Sequence, residues 1–354
     1  MAETSRIRIQ NIYYMLAYAF QVLHEEGYKS VALEEFEHTL DLLSAILAKG
    51  IANQVKRGLG REYIPHTDAL SSPRGKISIS SSITEQSLFK KRLICEFDEF
   101  SENAYVNQIL KTTALKLIHS EDVAKEQKKA LKKVMLYFHN VDALNPLDIR
   151  WADIRYHSNN STYKMLINIC YLAMENLLLT EQTGRRKLSQ FGDERMSSLF
   201  ERFVREYYRK EHKDYDVSAP HIDWIVDDGI TEALPNMKSD IVLEYNGNTL
   251  IIDTKYYSRT MQTNIRSDKK TIHSSNLYQI FTYVKNKDVE RSGVVSGVLL
   301  YAKTDEDITP DNSYLMDGNR ISVKTLDLDK EFADIKSQLD SVVTEWKAIK
   351  GDPL

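Results

Sequence analysis

The feature that most restricts the fold of this chain is a pair of apolar segments joined by a tight-turn signal between residues 239 and 257. Residues 239–245 and 249–257 carry the β-branched and aromatic side chains of strands, and Asn246-Gly247-Asn248 lies between them. Asn and Gly accept the positive φ that a short hairpin turn requires. The run Leu250-Ile251-Ile252 reads as a buried strand that ends abruptly in Asp253. A helix is expected at about 274–286 and a further apolar strand at 294–302. Two paired strands, a helix and another strand define an α/β core in which helices pack on a mixed sheet.

This hairpin brings charges together. Asp240 stands near the start of its first strand and Asp253 near the end of its second, so the two positions lie side by side across an antiparallel pair. Asp253 and Lys255 are two residues apart and share a face. Two ionised carboxylates about 4 Å apart repel by roughly 4 kcal/mol at an effective dielectric near 20. A fold that keeps such a pair needs something to neutralise it, and Mg²⁺, which prefers oxygen ligands, meets that need. A cation held there polarises a phosphodiester and acidifies an attacking water, while Lys255 is placed to orient that water or to stabilise the transition state. An Asp-x-Lys triplet alone is better explained by ordinary surface charge. The buried run before Asp253 and the matching Asp240 favour a catalytic site.

The remainder of the 354 residues divides into two regions, with the turn-rich stretch at 157–162 as the junction. Residues 1–158 are expected to be mostly helical, with helices near 11–24, 33–57 (Gly58 as its stop), 103–119 and 121–138. Between 60 and 100, Pro65, Pro73 and Gly75 punctuate short stretches such as Lys76-Ile77-Ser78-Ile79-Ser80, which alternate with period two and read as one or two projecting β-hairpins. Residues 159–354 hold helices at about 164–179 and 194–210 and the α/β core. A hydrophobic content of 42% supports a buried core. A formal charge of −4 offers no global attraction to nucleic acid, so any DNA contact must be a local basic patch. Cys95 and Cys170 are too few and too far apart for a disulfide framework, and no window resembles a secretory signal or a membrane span. A soluble, cytoplasmic protein is expected.

Further candidates surround the hairpin. Gln279 and Tyr283 share one helix face; either Gln279 serves the site with Tyr283 behind it, or Tyr283 is core and Gln279 is solvated. Glu201, on the helix that buries Leu199, Phe200 and Phe203, is either an additional carboxylate of the site or a solvated helix residue. Residues 256–275 carry Arg259, Arg266, Lys269 and Lys270, which suit a phosphate-contacting loop and equally an exposed basic loop. No phosphate-binding loop for a nucleoside triphosphate occurs: Arg74-Gly75-Lys76-Ile77 lacks both the upstream glycine and the hydroxyl residue.

Asp240, Asp253-Thr254-Lys255, Gln279 and Tyr283 resemble the PD-(D/E)xK nuclease pattern with the Gln-x-x-x-Tyr helix of its RecB-like branch, although Pro235 stands five residues before Asp240 instead of next to it. The opening Asn11-Ile12-Tyr13-Tyr14-Met15-Leu16-Ala17-Tyr18-Ala19 is similar to the start of the McrC family, the nuclease subunit of McrBC modification-dependent restriction systems. So are Arg74-Gly75-Lys76-Ile77, Phe97-Asp98-Glu99-Phe100 with Asn103 and Asn107, and Asn276-Leu277-Tyr278-Gln279. The resemblance implies a restriction-endonuclease-like domain cutting double-stranded, methylated DNA. It implies Mg²⁺ held by Asp240, Asp253 and the Thr254 backbone carbonyl, with Glu201 as a further candidate ligand. It also implies a McrB-like AAA+ GTPase hexamer as partner, which binds the GTP, and a stalk around residues 60–100 with Arg74 and Lys76 as contact candidates. Two other functions would use the same residues differently: a GTPase-activating adaptor with a vestigial nuclease, and a stand-alone RecB-like repair nuclease.

Overall fold

The computed structural model describes residues 7–20, 36–154, 161–181, 189–256, 261–263, 270–303 and 310–350, together with positions 23, 28, 31 and 34. The chain forms two compact units, one from Glu25–Thr183 and one from Met1–His24 with Gly184–Leu354. This division differs from the expected break at residue 158. Helix α1 (Ile9–Ala19) is buried along most of its length and belongs with the C-terminal residues. Asn11 donates from Nδ2 to the carbonyls of Leu328 and Lys330, Tyr14 stacks on Phe332 with ring centroids 4.2 Å apart, and the Tyr18 hydroxyl donates to Glu211.

In the unit Glu25–Thr183, α2 (Thr39–Arg57) ends at Gly58, as expected, at a φ of 89° that favours glycine. Strand β1 (Glu62–Leu70) is followed by β2 (Lys76–Ile77), the short helix α3 (Ile79–Thr84) and β3 (Leu93–Ser101). The sheet has the order β1-β3-β2, with β1 and β3 antiparallel from Glu62↔Ser101 to Leu70↔Leu93. Gly75 sits at φ +72°, and a Cβ there would lie 2.3 Å from the Glu96 carbonyl, so only glycine lets β2 reach β3. The hairpin module is therefore present, but the period-two reading of residues 76–80 holds only for Lys76 and Ile77. From Ile79 the backbone is helical, because the serines supply local hydrogen bonds that compete with a ladder: Ser82 Oγ donates to the Ser78 carbonyl and Ser78 pairs with Ser81.

Helices α4 (Tyr105–His119), α5 (Lys125–Met135) and α6 (Ser161–Glu181) complete this unit, α2 packing on α5 and α6 and α4 on both. Helix α6 thus lies on the N-terminal helices, which carries the unit past the turn-rich stretch; residues 155–160 of that stretch lie outside the described residues. Fully buried Asn107 fastens the base of the hairpin to the helices. Its Nδ2 donates to the carbonyls of Gly60 and Glu102, and its Oδ1 accepts from the Tyr163 hydroxyl, which in turn accepts from the Gly60 amide.

The second unit continues with α7 (Ser189–Glu211), then β4 (Asp216–Ser218), β5 (His221–Ile222), β6 (Met237–Lys238), β7 (Ile241–Tyr245) and β8 (Asn248–Lys255). After β9 (Met261–Thr263) and β10 (Lys270–Ile272) come α8 (Ser274–Lys287), β11 (Val295–Ala302), β12 (Asn312–Met316), β13 (Asn319–Leu326) and α9 (Phe332–Lys350). The central sheet has the order β12-β13-β11-β8-β7-β4. Strands β8, β11 and β13 are parallel, with β7 antiparallel to β8 and the edges β4 and β12 also antiparallel. Its two middle strands are buried almost throughout, because α8 packs on β11, β8 and β13 while α7 lies on β8 and β4 and α9 on β13. The hairpin turn is two residues, Asn246 and Gly247, at φ 46° and 75°. Residues 261–263 and 270–272, expected within a loop, pair as an antiparallel β9–β10 ribbon. Both cysteines are buried and free, and among the described residues no helix is long and apolar enough to cross a membrane.

Replacing Asn107 with alanine leaves two carbonyls and a tyrosine hydroxyl without their partner inside the structure. Asn107→Ala is expected to destabilise the Glu25–Thr183 unit by roughly 2–4 kcal/mol, read as a shift of the denaturant midpoint.

Candidate active site

Strand β8 carries the site because its apolar residues fix its register. Ile241↔Ile252 is the last paired step of β7 and β8, and one further step sets Asp240 against Asp253. Asp253 is 1% exposed and lies on the strand face that also carries Ile251, whose neighbours are Ile280, Tyr283 and Val284 of α8. Lys255, two residues on, brings its Nζ to 2.7 Å from Asp253 Oδ2. The same ammonium donates to Gln279 Oε1 at 3.0 Å. Gln279 Nε2 donates to the Tyr283 hydroxyl at 2.8 Å, and that hydroxyl donates to the Lys238 carbonyl at 3.1 Å. An unbroken polar chain therefore runs from a buried carboxylate through a lysine and a helix glutamine to the backbone of β6. Gln279 is thus held by Lys255 on one side and by Tyr283 on the other, and Tyr283 is buried behind it.

Helix α8 approaches closely enough to complete this chain because Gly297 of β11 lies beneath it; a Cβ there would meet Ile280 and Val284 side chains, each at 2.8 Å. Asn276, one turn before Gln279, donates to the Tyr301 hydroxyl of β11 and pins the start of the helix to the same strand.

Asp240 is held from two sides. Its Oδ2 accepts from both the amide and the hydroxyl of Thr254, each at 2.8 Å. Its carbonyl accepts from Arg205 Nη1 at 3.3 Å, and Arg205 also donates to Glu201 Oε1 at 2.7 Å. Glu201 is thus drawn toward the site on α7, but as half of a partly buried ion pair. Arg205 is a member of the constellation that sequence reasoning missed; its only signal was its position four residues after Glu201.

The electrostatics agree with the geometry. The Asp253 carboxyl is raised to about 6, by burial first, with Lys255 acting against it and the charges of Asp240 and Glu201 adding to it. Burial likewise raises Glu201, followed by the Asp240 charge, with Arg205 and Lys238 acting against both. Tyr283 is raised by burial first, and by the charges of Asp253 and Asp240. Among the described residues no three carboxylate, imidazole or thiol side chains converge tightly enough to hold an ion by themselves. Two hard carboxylates with a mutual repulsion are nevertheless the kind of oxygen donor that a divalent cation takes.

Arg259, Arg266 and Lys269 lie outside the described residues, and of Lys270 only the backbone, at the start of β10, is described. Arg74 and Lys76 are far from this site in the chain and belong to the hairpin module. The Arg74 guanidinium covers the Phe97 ring at 4.7 Å and donates to the Asp98 carbonyl, while Lys76 pairs with Glu96 at 3.2 Å.

An acidic pair opposed across a hairpin, a lysine on the same face and a glutamine helix behind it form, within a mixed α/β sheet, the arrangement implied by the PD-(D/E)xK resemblance. The profile of the family described as McrBC 5-methylcytosine restriction system component matches residues 3–302, and the chain belongs to that family. It is 26% identical over 349 residues to a chain of the type IV methyl-directed restriction enzyme EcoKMcrBC of Escherichia coli (strain K12), covering 97% of this chain and 99% of that one. A solved half-complex of Thermococcus gammatolerans McrB AAA+ hexamers with bound McrC is similar at a TM-score of 0.45 and 15% identity, covering 94% of this chain and 76% of that chain. The cryo-EM structure of the Thermococcus gammatolerans McrBC complex is similar at 0.38 and 17%, covering 57% and 58%.

Because the folded-state value of Asp253 is raised from 3.8 to about 6, the folded chain binds more protons than the unfolded one between those limits, and stability falls as pH rises through that window. Asn at this position cannot ionise. In metal-free buffer Asp253→Asn is expected to melt at a higher temperature than wild type at pH 8, with the difference closing below about pH 4. Equal melting temperatures at pH 8 would contradict the assigned burial cost.

Proposed function

We propose that this chain is the DNA-cleaving subunit of a modification-dependent restriction complex and hydrolyses phosphodiester bonds at Asp240, Asp253 and Lys255. The observation that carries this reading is the polar chain Asp253–Lys255–Gln279–Tyr283, set at the buried end of β8 with Asp240 opposite. A vestigial site would have no use for a carboxylate held at 1% exposure against its own ionisation, since burying an acid costs stability that mutation readily recovers.

Asp240, Asp253 and the Thr254 backbone carbonyl are the residues that would hold Mg²⁺, with Glu201 as a further donor if Arg205 releases it. When bound, the ion supplies Lewis-acid polarisation of the phosphate and a lower pKa for the attacking water. Lys255 presents an ammonium whose position is fixed by Gln279, so it orients that water and stabilises charge that builds on the phosphoryl oxygens. Tyr283 holds the Gln279 amide in the orientation that turns its oxygen, not its nitrogen, to Lys255. The same reading makes Arg259, Arg266, Lys269 and Lys270 contacts to the DNA backbone.

Membership of the McrBC family supports a double-stranded, methylated DNA substrate and a McrB-like AAA+ GTPase hexamer as partner, with GTP bound by the partner. The hairpin module, with Arg74 and Lys76, is the segment we assign to that contact.

The test is a cleavage assay of the complex reconstituted with its GTPase, GTP and Mg²⁺ on methylated DNA. Asp253→Ala is expected to reduce cutting to background while complex formation and GTP hydrolysis stay at wild-type levels, and Lys255→Ala to slow it by roughly 10²–10³-fold. An Asp253→Ala complex that still cuts would overturn the assignment; cutting by the isolated chain without GTP would point instead to a stand-alone nuclease.

A further inference from the structure

The middle residue of the Asp-x-Lys triplet ordinarily has no side-chain part in such a site, because alternation along a strand turns it to the face opposite its two neighbours. Thr254 departs from that. At the sheet end, Asp240 precedes the paired residues of β7, so the ladder does not fix its side chain, and its carboxylate lies against β8 instead. Both donors of Thr254, amide and hydroxyl, converge on the single oxygen Oδ2. The residue is 4% exposed, so water does not compete freely for these bonds. Arg205 acts on the backbone carbonyl of Asp240, and Lys255 pairs with Asp253. Thr254 is therefore the side chain that fixes the rotation of the Asp240 carboxylate.

We propose that Thr254 is a positioning residue: its hydroxyl and amide together lock one oxygen of Asp240 and leave the other, Oδ1, as the oxygen for a divalent cation. The proposal rests on the nuclease reading above. The hydroxyl acts only through Asp240, and a carboxylate free to rotate loses affinity for an ion that demands defined ligand directions. Serine retains the donor, whereas valine retains the shape and the β-branching and removes the donor.

Two measurements on the full chain test this. Calorimetric titration of the metal-free protein with Mn²⁺ reads ion affinity without catalysis, and cleavage by the reconstituted complex is titrated with Mg²⁺. Thr254→Val is expected to weaken Mn²⁺ binding about 10- to 100-fold and to shift the Mg²⁺ midpoint of cleavage in the same direction. The rate at saturating Mg²⁺ should change far less, and Thr254→Ser should stay within about threefold of wild type in both titrations. If valine prevents folding, Thr254→Ala set against Thr254→Ser makes the same comparison. Wild-type affinity in the valine or alanine variant, or an equal loss in the serine variant, overturns the role of the hydroxyl. A wild-type chain that binds no Mn²⁺ and an Asp253→Ala complex that still cuts would instead sink the nuclease reading itself.

Discussion

The C-terminal unit depends on keeping an acidic group at the end of a strand with almost no solvent. The strand that delivers Asp253 is buried along its middle and paired with β11 at this position, so the carboxylate is almost wholly withdrawn from solvent. Its compensation is a lysine on the same strand, and that lysine is itself held by a residue of the covering helix. Strand register, helix placement and charge are thereby coupled: a slip of one residue in β8 would carry the acid and the lysine together to the opposite face. The small residue of β11 beneath the helix belongs to the same coupling, since it sets how near the glutamine can come.

The two units treat polar residues in different ways. In the unit Glu25–Thr183, Asn103 and Asn107 are tied into closed sets of hydrogen bonds that end on backbone and on Asp142, Gln108 and Tyr163. These sets brace the neck of a hairpin whose surface exposes Ile79, Ile83, Leu88 and Phe89. In the C-terminal unit the polar chain ends on an acid whose ionisation the fold resists. The first pattern is that of a rigid support; the second keeps an acid in tension with its surroundings.

Much of this was legible in the residues because short-range rules govern it. Asn246-Gly247 set the turn, the apolar run set the register, and the spacing of Asp253 and Lys255 set their common face; each is a local consequence of strand geometry. Gln279 and Tyr283 could be placed on one helix face, but whether that face met the lysine depended on the closeness of α8 to β11, which a single glycine 18 positions after Gln279 determines. Arg205 and the hydroxyl of Thr254 were not legible, since each acts on Asp240 across elements with no periodic signature. The serine-rich stretch after Ile77 misled for a related reason: alternation of apolar and polar residues looks like a strand, yet serine side chains can satisfy a helical turn. The division into units was not legible either, because the aromatic content of α1 shows that it is buried, not what buries it.

That boundary has a bearing on how the polypeptide matures. The Glu25–Thr183 unit is an insertion between two pieces of another, and it contains all of its own pairing partners for β1, β3 and the helices around them. Helix α1, by contrast, packs on α7 through Tyr18 and is fastened at Leu328, Lys330 and Phe332, more than 300 residues further along. The inserted unit can close on its own contacts, while the first helix finds its cover only once the insertion has been passed, on α7 and then on residues 328–332.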